Sequence, residues 1–294
     1  MRLSIRHVTR YAYEPSALRL ALRLRLWPSV HAAQKVETWA LSVNGEAVPP
    51  LFNDPFGETL GLWHAHAPVD AVEVVAEGTV EVQDTAGVVR GIDQGRALGT
   101  FLRDTPLTAP DDALRALAEA ARAEAGKDGK DGPLAALHAL QAQVHDAVDY
   151  KPGVTDGATT AARALALGAG VCQDHAHVFI AGARLLGLPA RYVAGYLMAR
   201  DPADADEDDD PEHGPDLHET HAWAEAHVAG LGWVGFDPAN AVCPTDRYVR
   251  LCSGLDAAAA APIRGSVTGD AVEEMAASVE IAPAPAQVQT QTQQ

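Results

Sequence analysis

Cysteine, basic residues and long apolar runs are all scarce in this chain, and each scarcity closes off a class of function. Three cysteines in 294 residues, Cys172, Cys243 and Cys252, are too few and odd in number for a disulfide framework, so a reducing compartment is expected. Lys and Arg number 22 against 40 Asp and Glu, a net charge of −18. A surface of that sign repels phosphate backbones and anionic lipids, so neither nucleic acid nor a membrane is an expected partner. No segment approaches the roughly 18 consecutive apolar residues of a membrane span. The opening MRLSIRHVTRYAYEP is interrupted by Arg6 and Arg10, where a signal peptide needs a continuous apolar stretch; a cytoplasmic location is the expectation. Metal ligation is not expected either. His218-Glu219-Thr220-His221 superficially resembles a zinc helix motif, but its histidines are three apart rather than four and run into a strand-like segment. No cofactor is implied.

What is present suffices for a substantial core: 47% of the residues are hydrophobic, enough for one large or two modest domains. The first hundred residues read as β. Leu18, Leu20, Leu22, Leu24 and Leu26 alternate with Arg19, Ala21, Arg23 and Arg25, the period of a half-buried strand. Its arginines read as a solvated sheet face, with an anion site as the alternative. VETWALSV runs into Asn44-Gly45, a favoured hairpin turn because both residues tolerate positive φ. VEVVAEGTVEV supplies a further strand, and short strands between turn residues suggest an antiparallel sandwich.

Near residue 110 the pattern changes. Asp111 or Asp112 can cap a helix through Ala113–Ala125, KDGKDG at 127–132 breaks it, and Leu134, Leu137, Leu140, Val144 and Val148 follow helical spacing. A short helix from Thr159 or Thr160 ends near Gly168. Another runs from Cys172 to Leu186, closed by Gly187 and Pro189. Strand-like RYVAGYLM, HAWAEAHV and GWVGFDP follow. The fold class is therefore α+β, with domains expected at 1–105 (β) and 106–282 and a disordered tail at 283–294. Asp201–Asp216 holds nine acidic residues and no Lys or Arg, and reads as a loop. Ending five residues before His221, it reads as a solvated insertion without a role, with a field that favours basic substrates as the alternative.

Three residues carry the chemistry. Cys172 starts a helix after Gly168-Ala169-Gly170. A thiol must ionise to attack a carbonyl, the helix dipole favours the thiolate there, and the free N–H groups of the first turn can receive an oxyanion. His221 opens HAWAEA and Asp237 ends GWVGFDP; antiparallel pairing through the turn at Gly230–Gly232 would bring the carboxylate close to the imidazole, to hold its tautomer. Taken singly, these are a buried small hydrophobe, a satisfied strand histidine and a turn aspartate. Taken together in this order, they read as a nucleophile, a base and an orienter. Trp223 and Tyr150 are candidate substrate-binding residues, with core packing as the alternative. His175 and His177 read as helix surface or core, Gln173 and Asp174 as capping or packing residues, and Cys243 and Cys252 as structural.

The strings YKPGVTDGATTAARALALGAGVCQD, GVCQDHAHVFIAGARLLGLPARYVAGYL and HAWAEAHVAGLGWVGFDPAN resemble the core of bacterial transglutaminase-like proteins. RLSIRHVTRYAYEP with RLRLWP resembles the β domain that precedes this core, and RGSVTGDAVEEMAASVEI its closing strand. The resemblance implies an N-terminal antiparallel β-sandwich-like domain followed by a papain-like core of helices on an antiparallel sheet. It also implies a catalytic triad of Cys172, His221 and Asp237 that acts on peptide or protein amides through an acyl-enzyme. Hydrolysis is the expected outcome. The alternatives are transfer of a glutamine acyl group to an amine and a non-catalytic binding module on the same fold. Ala239 departs from the family's DPTN string, while Asn240 is kept.

Overall fold

The computed structural model describes residues 1–92, 97–127, 132–198 and 220–285. The acidic run at 201–216, His218 and Glu219, the centre of the KDGKDG break and the end of the tail lie outside the described residues. No helix among the described residues is long and apolar enough to cross a membrane.

The first part of the chain is strand-rich: β1 (Arg2–Ala17), β2 (Arg19–Leu24), β3 (Gln34–Val43), β4 (Glu46–Ala47), β5 (Phe52–Asn53), β6 (Thr59–His64), β7 (Val69–Val82) and β8 (Val88–Val89). The alternation in β2 holds: Leu20, Leu22 and Leu24 are buried and Arg19 and Ala21 face out, although Leu18, before the strand, is exposed. The β3–β4 hairpin turns at Asn44 and Gly45, with φ of 50° and 79°, as the dipeptide suggests.

Helices follow: α1 (Asp112–Lys127), α2 (Pro133–Ala147), α3 (Ala161–Leu167) and α4 (Cys172–Leu185), with the two-residue strands β9 (Asp149–Tyr150) and β10 (Ala169–Gly170) between them. Asp111 caps α1, its Oδ1 accepting from Leu114 N–H at 2.9 Å, and Thr160 caps α3. The last part adds β11 (Ala190–Leu197), β12 (His221–Val228), β13 (Gly232–Phe236), β14 (Tyr248–Gly254), α5 (Ala257–Ala260), β15 (Ile263–Thr268) and β16 (Val272–Pro283).

Three antiparallel sheets result. One has the order β16-β1-β7-β3-β4, a second β15-β2-β6-β5, and the third β14-β11-β12-β13-β8. The two closing strands do not join the third sheet. β16 pairs with β1 from Leu3–Pro283 to Glu14–Val272, and β15 pairs with β2. The segment expected as one closing strand of the core thus forms two strands, both on the N-terminal sheets. β8 makes the reciprocal link, since Val88 and Val89 pair with Val234 and Trp233.

The third sheet is covered on both faces. Along β12, Ala222, Ala224 and Ala226 share the apolar core with α4, while His221, Trp223 and Glu225 alternate onto the other face. α4 is buried almost all round, and its buried polar side chains, Asp174, His175, His177 and Arg184, are all hydrogen-bonded. The face opposite α4 holds a buried charge network between sheets. Glu225 accepts from Arg191 Nε at 2.6 Å and from Arg250 Nε at 3.0 Å, and Arg250 reaches Glu58 at 3.0 Å. Burial alone would raise the Glu225 pKa, but Arg191 and Arg250 pull it down to about 2. This network holds β14 against β11 and β12 and against the N-terminal segment.

Candidate active site

Cys172 is the first residue of α4 and is half-buried. The turn before it is tightly built. Gly168 ends α3 with φ of 62°, and a Cβ on Gly170 would lie 2.6 Å from that of Asp174, so only glycine fits there. The Asp174 carboxylate closes the turn, accepting from Val171 N–H at 2.9 Å and from the Thr155 hydroxyl at 2.6 Å. His175 holds it from below, its two ring nitrogens 2.9 and 2.7 Å from the carbonyl oxygens of Val171 and Val148. His177 accepts from Ala257 N–H at 3.0 Å. Both histidines are core residues: His175 fixes the turn, and His177 ties α4 to the start of α5.

His221, the first residue of β12, is only 9% exposed, and Asp237, just after β13, is fully buried. The two are joined by a 2.7 Å bond from His221 Nε2 to Asp237 Oδ2. That leaves Nδ1 for Cys172, which lies close enough to the ring to raise its pKa. The structure thus brings together all three residues singled out in the sequence. Burial opposes charge on the imidazole, but the Asp237 carboxylate and its hydrogen bond, with the nearby Cys172, push the His221 pKa up to about 10. Burial likewise opposes charge on Asp237, and His221, Asn240 and Tyr248 outweigh it, holding the carboxyl below its ordinary value.

Asp237 is heavily supported. Its backbone forms a two-way bridge with Val242, and Gln141 of α2 donates to the carbonyl oxygens of both residues. Oδ1 accepts from the N–H groups of Ala239 and Asn240 at 3.1 and 3.3 Å. Oδ2 accepts from Asn240 Nδ2 at 2.7 Å and from the Tyr248 hydroxyl at 2.9 Å, besides His221. Ala239 contributes its backbone, so the departure from the DPTN string leaves these bonds in place.

Trp223 is 2% exposed; it stacks on His221 with centroids 6.3 Å apart and meets Tyr248 edge-on. Gly195 of β11 makes room for it, because a Cβ there would lie 2.5 Å from the indole. Tyr150 is half-buried on β9, beside the Gly170 strand that leads into Cys172, with its ring 6.3 Å from that of His175. Tyr248 is the residue the sequence did not reveal. It stands on β14, a strand with no clean alternation, eleven residues past Asp237.

A thiol, an imidazole and a buried carboxylate in line can move one proton and form one covalent bond. The free N–H groups at the start of α4 give the site the means to receive negative charge. The transglutaminase-like superfamily matches residues 120–238, and the bacterial transglutaminase-like N-terminal region matches residues 3–81. An uncharacterised protein of Mycobacterium leprae is 26% identical over 287 residues, covering 95% of this chain and 98% of that one. An uncharacterised protein of Mycobacterium tuberculosis is 32% identical over 156 residues, covering 50% of this chain and 46% of that one. A Cytophaga hutchinsonii structure, described as a “putative cysteine protease”, shares the fold with a TM-score of 0.70 at 24% identity, covering 98% of this chain and 92% of that one. The chain therefore joins a bacterial transglutaminase-like N-terminal region to a core of the transglutaminase-like superfamily.

Proposed function

We propose that this protein is a cysteine-nucleophile enzyme that cleaves peptide or isopeptide amides through an acyl-enzyme, with Cys172, His221 and Asp237 as its triad. The observation that carries this reading is the buried His221 imidazole bonded to the Asp237 carboxylate at 2.7 Å, with the half-buried Cys172 at the start of α4 near enough to act on its pKa. In the first half-reaction the Cys172 thiolate adds to the amide carbonyl, and the backbone N–H groups at the start of α4 receive the oxyanion. His221 gives its proton to the leaving nitrogen as the C–N bond breaks. In the second half-reaction His221 takes a proton from water, the resulting nucleophile attacks the thioester, and the thiolate leaves. Asp237 keeps Nε2 protonated and offsets the imidazolium charge, without taking the proton itself.

An amine in place of water would make the same intermediate a donor for acyl transfer, so one experiment addresses both. The protein is incubated with an amide library, with and without a primary amine, and its intact mass is measured. An acyl adduct on Cys172, absent from Cys172→Ala, is expected, and its release as free acid rather than as an amine conjugate marks hydrolysis. His221→Ala should lower turnover by about a thousandfold or more, and Asp237→Ala by less. Turnover retained in Cys172→Ala would overturn the proposal.

A further inference from the structure

The outer face of the second sheet carries unpaired positive charge on an acidic protein. Register sets Arg264, Arg23 and Leu62 in one row across β15, β2 and β6, and Ser266, Ala21 and His64 in the next; Thr268 and Arg19 follow. Because Ala21 and Ser266 are small, a trough runs between the arginines. Two open grooves of about 570 and 390 Å³ share Ala21, His64 and Ser266, and no Asp or Glu lines either.

The first sheet of the same protein behaves differently. There the outward arginines meet carboxylates: Arg2 with Glu37 at 2.5 Å, Arg10 with Glu73 at 2.7 Å and Arg6 with Glu77 at 3.4 Å. Arg6 and Arg10 stand directly opposite their partners in register. On the second sheet Arg23 stands opposite another arginine, Arg264. Among the described residues none of Arg19, Arg23 and Arg264 forms an ion pair, although acidic side chains outnumber basic ones 40 to 22. Like charges directly opposite on a sheet cost stability. Partial burial, Arg25 and Arg264 together hold the Arg23 guanidinium below its ordinary pKa.

We infer that this face docks an acidic polypeptide segment lying extended along β2. Arg19 and Arg23 are separated by about 13 Å along the strand, the spacing of carboxylates four residues apart on an extended peptide. Guanidinium groups take carboxylates in two-pronged fashion, and the Ser266 and Thr268 hydroxyls can bond the peptide backbone. The net charge of −18 disfavours the two larger polyanions, nucleic acid and an anionic bilayer, whose charge extends far beyond the patch. A short segment is governed by charges within about 10 Å. Docking here involves no catalysis, so its test is separate from that of the acyl-enzyme reading.

The test is fluorescence anisotropy of the full chain with a labelled alternating Glu-Ser peptide of about twelve residues, beside single-stranded DNA and phosphatidylserine vesicles. Saturable peptide binding is expected at about 50 mM salt, fading by about 300 mM. Arg19→Ser with Arg23→Ser and Arg264→Ser should weaken binding about tenfold, while Arg6→Ser with Arg10→Ser on the first sheet should leave it within about twofold. Arg264→Ser alone, on the edge strand, should weaken it about threefold and keep the fold, as read by circular dichroism. Binding that survives the triple substitution overturns the inference, as does tighter binding of DNA or vesicles than of peptide, or no peptide binding at low salt.

Discussion

Tyr248 donates its hydroxyl hydrogen to Asp237 Oδ2 at 2.9 Å, the same oxygen that His221 holds at 2.7 Å. The tyrosine comes from β14, a strand anchored by the Glu225–Arg250–Glu58 network, so the orientation of the triad carboxylate depends on a sheet edge held by a segment distant in sequence. Tyr248→Phe should leave the protein folded and lower kcat/KM about tenfold, since a hydrogen bond to a charged group is worth about 1.5–3 kcal/mol. Loss of that bond frees the carboxylate to turn away from the imidazole, which lowers the His221 pKa, so the alkaline limb of the activity profile should move to lower pH. An unchanged profile would remove Tyr248 from the positioning of the triad.

Thiol reactivity should separate the three cysteines. Cys252 is fully buried, donates to the Ala260 carbonyl at 3.0 Å, and has its pKa pushed up to about 12 by burial. Burial also raises Cys243. Cys172 is half-buried beside His221. Near neutral pH, iodoacetamide should label Cys172 at least about tenfold faster than the other two, as read by peptide mass spectrometry. Equal rates in the folded protein would contradict the assignment of the nucleophile.

Stability should depend on pH through His221. Its folded pKa, raised to about 10, lies above the unfolded value of about 6.5. The folded state therefore holds this proton more tightly, and the resulting stabilisation is complete below about pH 6.5 and is lost as pH rises through about 10. In urea titrations, the stability difference between the wild type and His221→Gln should be larger near pH 6 than above pH 10. A difference that grows with pH would place the histidine in another environment.

Glu225→Gln should be among the most damaging single substitutions away from the triad. It leaves Arg191 and Arg250, both almost fully buried, without their shared counter-ion. The expected loss is about 3–5 kcal/mol of unfolding free energy, measured by urea denaturation. A loss below about 1 kcal/mol would mean that the network contributes nothing beyond packing.

The elements that mattered for chemistry were readable because their signals are local. Period-two leucines defined β2, Asn44-Gly45 defined a hairpin, and a glycine turn before Cys172 defined a helix start. His221 and Asp237 could be paired from sequence because one short turn joins β12 to β13. β14 was not readable. Its side chains are buried on both faces, and the arginine and serine among them are neutralised by partners on other segments, so neither alternation nor an apolar run marks it. Trp223 could be read either as a cleft wall or as core; the Tyr248 ring and the space over Gly195 place it behind the imidazole.

By itself, then, the sequence determined which residues form the thiol–imidazole–carboxylate set, because each sits at an element boundary that local backbone preferences mark. Only the tertiary structure decided how the carboxylate is held and where the final strands go. Those depend on the Tyr248 hydroxyl, supplied by a strand with no local signal, and on Gln141 and the pairing of β16 with β1, contacts between residues far apart in the chain. Burial and hydrogen-bond satisfaction over the whole molecule select such contacts, and no local pattern records them.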